Sequence, residues 1–105
     1  MRFVETPVFT EAIEELLEHD AYRALQHALI VRPQEGVVIP KSGGLRKMRW
    51  HVQGKGKRGG CRVVYHWREV SETFYMLYAY RKSEEEDISP RQLRVLSQLV
   101  QEEFE

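Results

Sequence analysis

Residues 44 to 68 read GLRKMRWHVQGKGKRGGCRVVYHWR, and the rest of the chain is arranged around this stretch. Two runs of alternating polar and apolar residues, each typical of a β-strand, flank a basic loop that is rich in glycine. From Gly36 to Arg68 the chain contains no Asp or Glu, although its formal net charge is zero. A field of one sign over a predicted hairpin suits a polyanion, most commonly a nucleic-acid backbone. The basic residues of this segment are Lys41, Arg46, Lys47, Arg49, Lys55, Lys57, Arg58, Arg62 and Arg68.

The length of the chain predicts one domain, residues 1–105, which is large enough to bury a core without disulfides or metals. Its contents of hydrophobic residues, 42%, and of aromatic residues, 10%, argue against disorder. No apolar run approaches the roughly 20 residues that a membrane span needs. Glu5 and Glu11 interrupt any signal-peptide core. We therefore expect a cytoplasmic protein that does not bind membranes.

The composition gives no support to a metal or cofactor. Cys61 is the only cysteine, so no internal disulfide can form, and a lone strand cysteine is typical of a small buried hydrophobe. His51 and His66 could meet across a hairpin, but two ligands do not make a structural zinc site. The glycines between 54 and 60 lack the Gly-Lys-Ser/Thr sequence of a phosphate loop. We expect neither a metal nor a cofactor.

The first third of the chain predicts a short strand followed by a helical hairpin. Residues 2–5 are a strand candidate, and Thr6 is a suitable N-cap with proline at the first helical position. Apolar residues then recur at helical spacing to about residue 18. Asp20 is the predicted cap of a second helix, which runs to about Val31 and ends before Pro33. We expect the two helices to pack as a hairpin on a sheet.

The middle of the chain predicts an antiparallel meander of three strands at 45–52, 61–68 and 73–81, with a tight turn at 69–72. In the first two strands the alternation separates an apolar face from a basic face. Strict alternation in the third strand divides its residues between the two faces. One face of that strand takes Tyr75, Leu77 and Ala79, and the other takes Phe74, Met76, Tyr78 and Tyr80.

The last fifth of the chain predicts an acidic loop and a final helix. Residues 84–87 are acidic and most simply form a solvated loop. Ser89 is the predicted N-cap of a helix with Pro90 at its first position. Leu93, Leu96, Val100 and Phe104 form its apolar stripe. The predicted fold class is α+β: an N-terminal helical hairpin packed on a small antiparallel sheet, followed by a C-terminal helix.

One face of the predicted meander carries cations, phenols and imidazoles but no carboxylate. Nuclease chemistry that uses Mg²⁺ needs carboxylates to hold the ion, so a metal mechanism is disfavoured. Metal-free cleavage of RNA needs a base for the 2′-hydroxyl, cations for the phosphorane and an acid for the leaving oxygen. The predicted members of this face are Lys47, Arg49, His51, Arg62, His66, Arg68, Tyr80 and Lys82.

The identity of the acid and the base stays open at this stage. Lysine can act as a base only if its pKa falls well below the usual value, which crowding by like charges can cause. His51 and His66 are chemically better bases, although strand histidines are more often structural. This face is expected to be open, and Tyr78 and Tyr80 are predicted to lie on it, where they could stack a nucleobase. The residues alone indicate a basic-faced, nucleic-acid-binding α+β domain, with a metal-free ribonuclease as one possibility.

Three motifs are distinctive: GLRKMR at 44–49, GKGKRGGCRVVY at 54–65 and YRKSE at 80–84. They resemble motifs of the RelE/ParE toxin superfamily and, within it, of the HigB-type toxins. The resemblance extends over nearly the whole chain, including the order of the predicted elements. It implies the RelE-like fold, related to microbial ribonucleases, and the toxin of a bacterial type II toxin–antitoxin system. Members that resemble RelE cut mRNA in the ribosomal A site by metal-free attack of the 2′-hydroxyl.

The resemblance also implies roles for individual residues. Arg62 matches the arginine that stabilises the phosphate, and Tyr80 and Lys82 match the functional end of the last strand. We assign catalysis to Arg62, Lys82, Tyr80 and Arg49. The expected RNA-binding residues are Arg46, whose role is in part structural, with Lys47, Lys55, Lys57, Arg58 and His66. The implied partners are the ribosome, mRNA and a HigA-like antitoxin with a helix-turn-helix domain.

Two departures from the family pattern leave alternatives open. Some RelE-like toxins carry a catalytic tyrosine after the last strand, whereas this chain has the acidic run at 84–87 followed by a helix. Arg81 stands where the family commonly has glycine. The same fold also serves ParE-type inhibitors of DNA gyrase, so fold alone does not decide activity. A gyrase inhibitor and a non-catalytic RNA-binding protein are the alternatives to an mRNA endoribonuclease.

Overall fold

The computed structural model describes residues 1–51, 60–84 and 87–104. Residues 103 and 104 are described by their backbone only. The described residues form three α-helices and five β-strands, followed by a π-helical turn near the C-terminus. In chain order they are β1 (Arg2–Glu5), α1 (Pro7–Leu16), α2 (His19–Val31), β2 (Val37–Val38), β3 (Arg46–Trp50), β4 (Cys61–Arg68), β5 (Thr73–Arg81), α3 (Pro90–Leu99) and the π turn (Val100–Phe104).

The described strands form one sheet in the order β1-β5-β4-β3-β2. Strands β3, β4 and β5 are the predicted antiparallel meander, which the structure confirms. The short strand β2 extends this sheet antiparallel to β3. The N-terminal strand β1 pairs parallel to β5, in the register Arg2 to Thr73 through Glu5 to Met76. Both β1 and β2 therefore lie at the edges of the predicted sheet.

The predicted helical hairpin covers one face of the sheet. Thr6 is the N-cap of α1, and its hydroxyl accepts a hydrogen bond of 3.0 Å from the Phe9 amide. The apolar sides of α1 and α2 meet inward-facing residues of β3, β4 and β5, and this packing forms the first core. Its fully or nearly fully buried members include Phe9, Ile13, Leu25, Leu29, Met48, Val63, Tyr65, Phe74 and Met76.

The start of α2 differs from the prediction. The helix begins at His19, and Glu18 occupies the N-cap position without a side-chain hydrogen bond to the helix end. Asp20 was the predicted cap but lies inside the first turn. A carboxylate there stabilises the helix through the partial positive charge of the N-terminus rather than by capping.

The opposite face of the sheet carries a second core, which α3 covers. Ser89 caps α3 as predicted, and Ser89 and Gln92 form a reciprocal capping box. The prediction that this whole face is open is therefore wrong. The apolar side of α3 packs on part of the face and shields it from water. The second core contains Leu45, Val64, Tyr75, Leu77, Tyr80, Ile88 and Val100, with Leu93, Leu96 and Leu99 packed against it.

A β-bulge redistributes the residues of β5 between the two faces. The register of β4 and β5 shifts between Val64 and Tyr65, which pair with Tyr78 and Met76, so that Leu77 is the extra residue. Leu77 and Tyr78 both contact the second core, and Ala79 belongs to the first. The strict alternation predicted for β5 is therefore wrong beyond Leu77, because a bulge inserts one residue and reverses the parity.

Among the described residues, no helix combines the length and the apolar composition that crossing a bilayer requires.

Candidate nucleic-acid interface

An open cleft of about 600 Å³ lies on the face of the sheet that carries the second core, beside the part that α3 covers. Strands β3 and β4 form its floor, and the ends of β5 and of the loop that precedes α3 form one side. Four of its lining residues are cations, and two are carboxylates. The cleft is lined by Glu35, Val37, Lys47, Met48, Arg49, Arg62, Lys82 and Asp87.

Two of these cations face each other directly. The register of β3 and β4 places Arg49 opposite Arg62, and Arg62 is in turn opposite Tyr80. Like charges at opposed positions of an antiparallel pair destabilise the sheet, so this pair is not explained by stability. Within the part of the chain that the structure describes, neither arginine forms an ion pair. Glu84 is not a partner of Arg62 either, because its carboxylate lies 4.0 Å from Arg81 Nε.

Asp87 lines the cleft, although the sequence predicted it in a solvated loop. Its Oδ1 lies 2.9 Å from Lys47 Nζ, although 40 residues separate the two along the chain. The hydrogen bond from Lys47 is the main reason why the pKa of this carboxyl is lowered from its usual range. The prediction that the basic face has no carboxylate is therefore wrong. The acidic run at 84–87 is visible in the sequence. Whether one of its carboxylates reaches Lys47 on β3 depends on the path of the chain after β5.

Tyr80 lies beneath the cleft rather than in it. Only 4% of the residue is exposed, and its ring belongs to the second core, 5.7 Å from that of Tyr78. Its hydroxyl is 3.2 Å from Asp87 Oδ1. The prediction that Tyr80 lies on an open face, ready to stack a base, is wrong because α3 covers that part of the sheet. Tyr78 is half-buried in the same core, and Gln92 Nε2 donates to its hydroxyl at 3.4 Å.

Arg46 lies on the side of the helical hairpin. Its Nη1 donates to the carbonyl oxygens of Gly36 at 2.7 Å and of Gln34 at 3.3 Å. The neighbouring Tyr65 hydroxyl accepts a hydrogen bond from the Gly36 amide at 2.9 Å and donates to the Pro33 carbonyl at 2.8 Å. Arg46 therefore ties the connection after α2 to the sheet and does not line the cleft.

The two strand histidines lie far apart along the sheet. Trp50 pairs with Cys61, so His51 follows the end of β3, whereas His66 pairs with Tyr75 five residues further along β4. The two histidines therefore do not meet across the hairpin. His66 stacks on Tyr75 with ring centroids 6.2 Å apart and is not a lining residue of the cleft.

The structure thus brings Lys47, Arg49, Arg62 and Lys82 together as predicted neighbours of one face. Lys82 is exposed and directly follows the end of β5, two residues after Tyr80, which pairs with Arg62. The predicted basic-loop residues Lys55, Lys57 and Arg58 lie outside the described residues.

Cys61 is a buried free thiol in the first core, as predicted. Burial raises its pKa, which opposes formation of a thiolate nucleophile. Within residues 1–51, 60–84 and 87–104, the His, Cys, Asp and Glu side chains form no group of three or more that could hold a metal ion.

A comparison with protein families gives a direct result. The model of the family described as the RelE toxin of the RelE/RelB toxin–antitoxin system matches residues 13–105. This match spans most of the chain, which also has the fold and the basic cleft described above. The chain belongs to the RelE toxin family.

Comparison with solved structures supports the same fold. The chain is similar to a doubly substituted mutant of the E. coli toxin RelE in its free state, with a TM-score of 0.50 and 13% sequence identity. The match covers 80% of this chain and 85% of the RelE chain. At this identity the likeness extends to the fold. It supports the RelE-like α+β architecture predicted from the sequence.

Proposed function

We propose that this protein is the toxin of a type II toxin–antitoxin system and an endoribonuclease that cuts mRNA on the ribosome. The observation that carries the proposal is the opposed pair Arg49 and Arg62 in a cleft that also holds Lys47 and Lys82. A bound polyanion would relieve the repulsion between these arginines, and an RNA phosphate is the anion expected for this family.

The proposed reaction is attack of a 2′-hydroxyl on the adjacent phosphorus without a metal. The attacking oxygen loses its proton to a base, the phosphorane forms, and the 5′-oxygen leaves as it gains a proton. Arg62 and Arg49 stabilise the phosphorane, because a guanidinium forks onto two phosphate oxygens and stays charged. Lys82, which is exposed directly after the end of β5, is assigned to proton transfer to the leaving oxygen. Lys47 contacts the RNA as a cation.

The proposed partners follow from the same assignment. Lys55, Lys57 and Arg58 bind ribosomal RNA or mRNA through phosphates, which supplies affinity with little sequence preference. The antitoxin is a HigA-like protein with a helix-turn-helix domain, and its gene lies next to the gene of this protein. Because ribosomes and mRNA are the targets, the protein acts in the cytoplasm.

Expression of the chain in bacteria without its antitoxin tests the proposal. We expect growth arrest through blocked translation, and primer extension should find new mRNA ends inside translated regions. Purified protein should cut mRNA efficiently only when ribosomes are present. Co-expression of the antitoxin should restore growth and yield a stable complex.

The same experiment distinguishes the alternatives. Accumulation of DNA cleavage complexes with intact mRNA would assign the protein to the gyrase inhibitors of this superfamily. Binding to ribosomes without new mRNA ends would indicate a non-catalytic RNA-binding protein. The control is a variant with Arg94→Ala, which removes an exposed arginine of α3 that does not line the cleft. It should arrest growth as the wild type does.

A further inference from the structure

Three donors converge on a single carboxylate oxygen at the side of the cleft. Asp87 Oδ1 lies 2.9 Å from Lys47 Nζ, 3.2 Å from the Tyr80 hydroxyl and 2.8 Å from the Ile88 amide nitrogen. The three donors come from β3, from β5 and from the segment that leads into α3. Asp87 therefore joins three parts of the fold at one point.

Two of these donors are held by the second core. Tyr80 is 4% exposed and Ile88 is 9% exposed, and both side chains pack in that core. The Ile88 donor is a backbone amide, which adds no side-chain freedom. Lys47 is the adaptable member, because its ammonium ends a flexible four-carbon stem. The side chain of Asp87 is 60% exposed, but the two donors held by the core orient its carboxylate, and the carboxylate in turn pairs with the ammonium of Lys47.

We infer that Tyr80 and Asp87 are positioning residues, which act through Lys47 by holding its ammonium in the cleft beside Arg49 and Arg62. This inference rests on the proposed function, because the cleft is taken as the place where an RNA phosphate reacts. Tyr80 is too deeply buried to touch RNA itself. Its hydroxyl contributes by orienting Asp87, and Asp87 contributes by orienting Lys47. A cation that is already in place stabilises a developing phosphorane without reorganising during the reaction.

A double-mutant cycle tests whether Asp87 acts through Lys47. The readout is the single-turnover cleavage rate at saturating concentrations of ribosomes programmed with mRNA. The variants are Asp87→Asn, which keeps an oxygen acceptor but removes the charge, Lys47→Ala, and the double variant. In the wild-type background, we expect Asp87→Asn to lower the cleavage rate by about tenfold. In the Lys47→Ala background, the same substitution should lower the rate by less than about twofold, because the effects of coupled residues are not additive.

Tyr80→Phe removes only the hydroxyl and should show the same dependence on Lys47. An equal decrease in rate from Asp87→Asn in both backgrounds would mean that Asp87 itself contacts the RNA or transfers a proton, and the inference would then be wrong. The matched control is Glu84→Gln, which removes a carboxylate 4.0 Å from Arg81 Nε that does not line the cleft. Its rate should equal that of the wild type, and circular dichroism should show that every variant is folded.

A second readout does not depend on cleavage. In wild-type protein the ammonium of Lys47 should give a ¹⁵N NMR signal protected from exchange, because it is held by Asp87. This signal should disappear in Asp87→Asn and weaken in Tyr80→Phe but stay unchanged in Glu84→Gln. A signal unaffected by the first two substitutions would overturn the inference. If wild-type protein does not cut RNA, the proposed function fails, and the NMR result still decides whether Tyr80 and Asp87 position Lys47.

Discussion

At the scale of single residues, the two opposed arginines of the central strands lower the stability of the sheet rather than raise it. Arg49 and Arg62 face each other across β3 and β4, where like charges repel. Around them, other charged groups are paired: Lys47 with Asp87, Arg32 with Glu35 and Arg81 with Glu84. Within the described ranges, these two arginines have no acidic partner, and they line the cleft in which we propose that an RNA phosphate binds.

Replacing Arg62 tests the role of this pair. We expect Arg62→Ala to abolish growth arrest and to lower the saturated cleavage rate by about a hundredfold or more, since the variant lacks one preorganised charge that stabilises the transition state. Arg62→Lys should recover only part of the rate, because lysine cannot fork onto two oxygens. Single-turnover cleavage with wild-type and variant proteins measures both effects.

Stability separates a functional role of Arg62 from a structural one. The side chain is half-buried and faces another arginine, so Arg62→Ala should change the free energy of unfolding by no more than about 0.5 kcal/mol. Chemical denaturation measures this change. A large decrease in stability together with inactivity would favour a structural role instead.

At the scale of elements, α3 determines which part of the basic face is available. Its apolar stripe covers the second core, so the outward side chains of β5 near Tyr80 are buried while those near Lys82 are exposed. The helix is anchored by the capping box of Ser89 and Gln92, with hydrogen bonds of 3.1 Å and 2.9 Å. The start of α3 immediately follows Asp87 and Ile88, so the cap also fixes one side of the cleft.

Removing the cap tests how strongly α3 is held. Ser89→Ala should lower the free energy of unfolding by about 1 kcal/mol, the usual effect of removing a helix N-cap. Hydrogen exchange should accelerate in α3 more than in α1 or α2, because the hairpin packs on the other face of the sheet. Ser71→Ala, at an exposed serine in the turn between β4 and β5, is the matched control and should leave both measurements unchanged. Equal acceleration in all three helices would contradict a local role of the cap.

At the scale of the whole molecule, a net charge of zero conceals a separation of charge. The exposed side of α1 carries Glu11, Glu14 and Glu15 and no lysine or arginine. The buried side of this helix packs on the face of the sheet opposite the cleft. The cations of the cleft lie on the other side. Such an arrangement favours the approach of a polyanion from the side of the cleft.

The salt dependence of ribosome binding measures how this charge is used. Replacing Lys55, Lys57 and Arg58 by Gln should weaken binding and lower the slope of log affinity against log salt by about 2, at roughly 0.7 for each phosphate that is no longer neutralised. The cleavage rate at saturating ribosomes should stay within about tenfold of the wild type, because interactions made equally before and during the reaction affect affinity more than turnover.

A charge-matched control separates local binding from net charge. Replacing Arg2, Arg23 and Arg94 by Gln removes the same charge from exposed positions outside the cleft, and it should change the slope little. A loop variant that binds normally but cannot cut would instead assign the loop to the active site.

The sequence by itself determined the features that depend on nearby residues. Thr6 and Ser89 are recognisable as caps because each is followed by a proline at the first helical position and accepts a hydrogen bond from the amide three residues later, all within one turn. The meander and the shared face of Lys47, Arg49 and Arg62 followed from the period of two in β3 and β4. These predictions required no knowledge of how distant parts of the chain meet.

Only the tertiary structure decided the features that depend on register and on contacts distant in sequence. The bulge opposite Val64 and Tyr65 reversed the parity of β5, and α3 then covered Tyr80. Lys47 meets Asp87 across 40 residues of chain, so no local pattern could reveal that the basic face contains a carboxylate. The physical reason is that alternation assigns side chains to faces, whereas the packing of one element on another decides which parts of a face remain open.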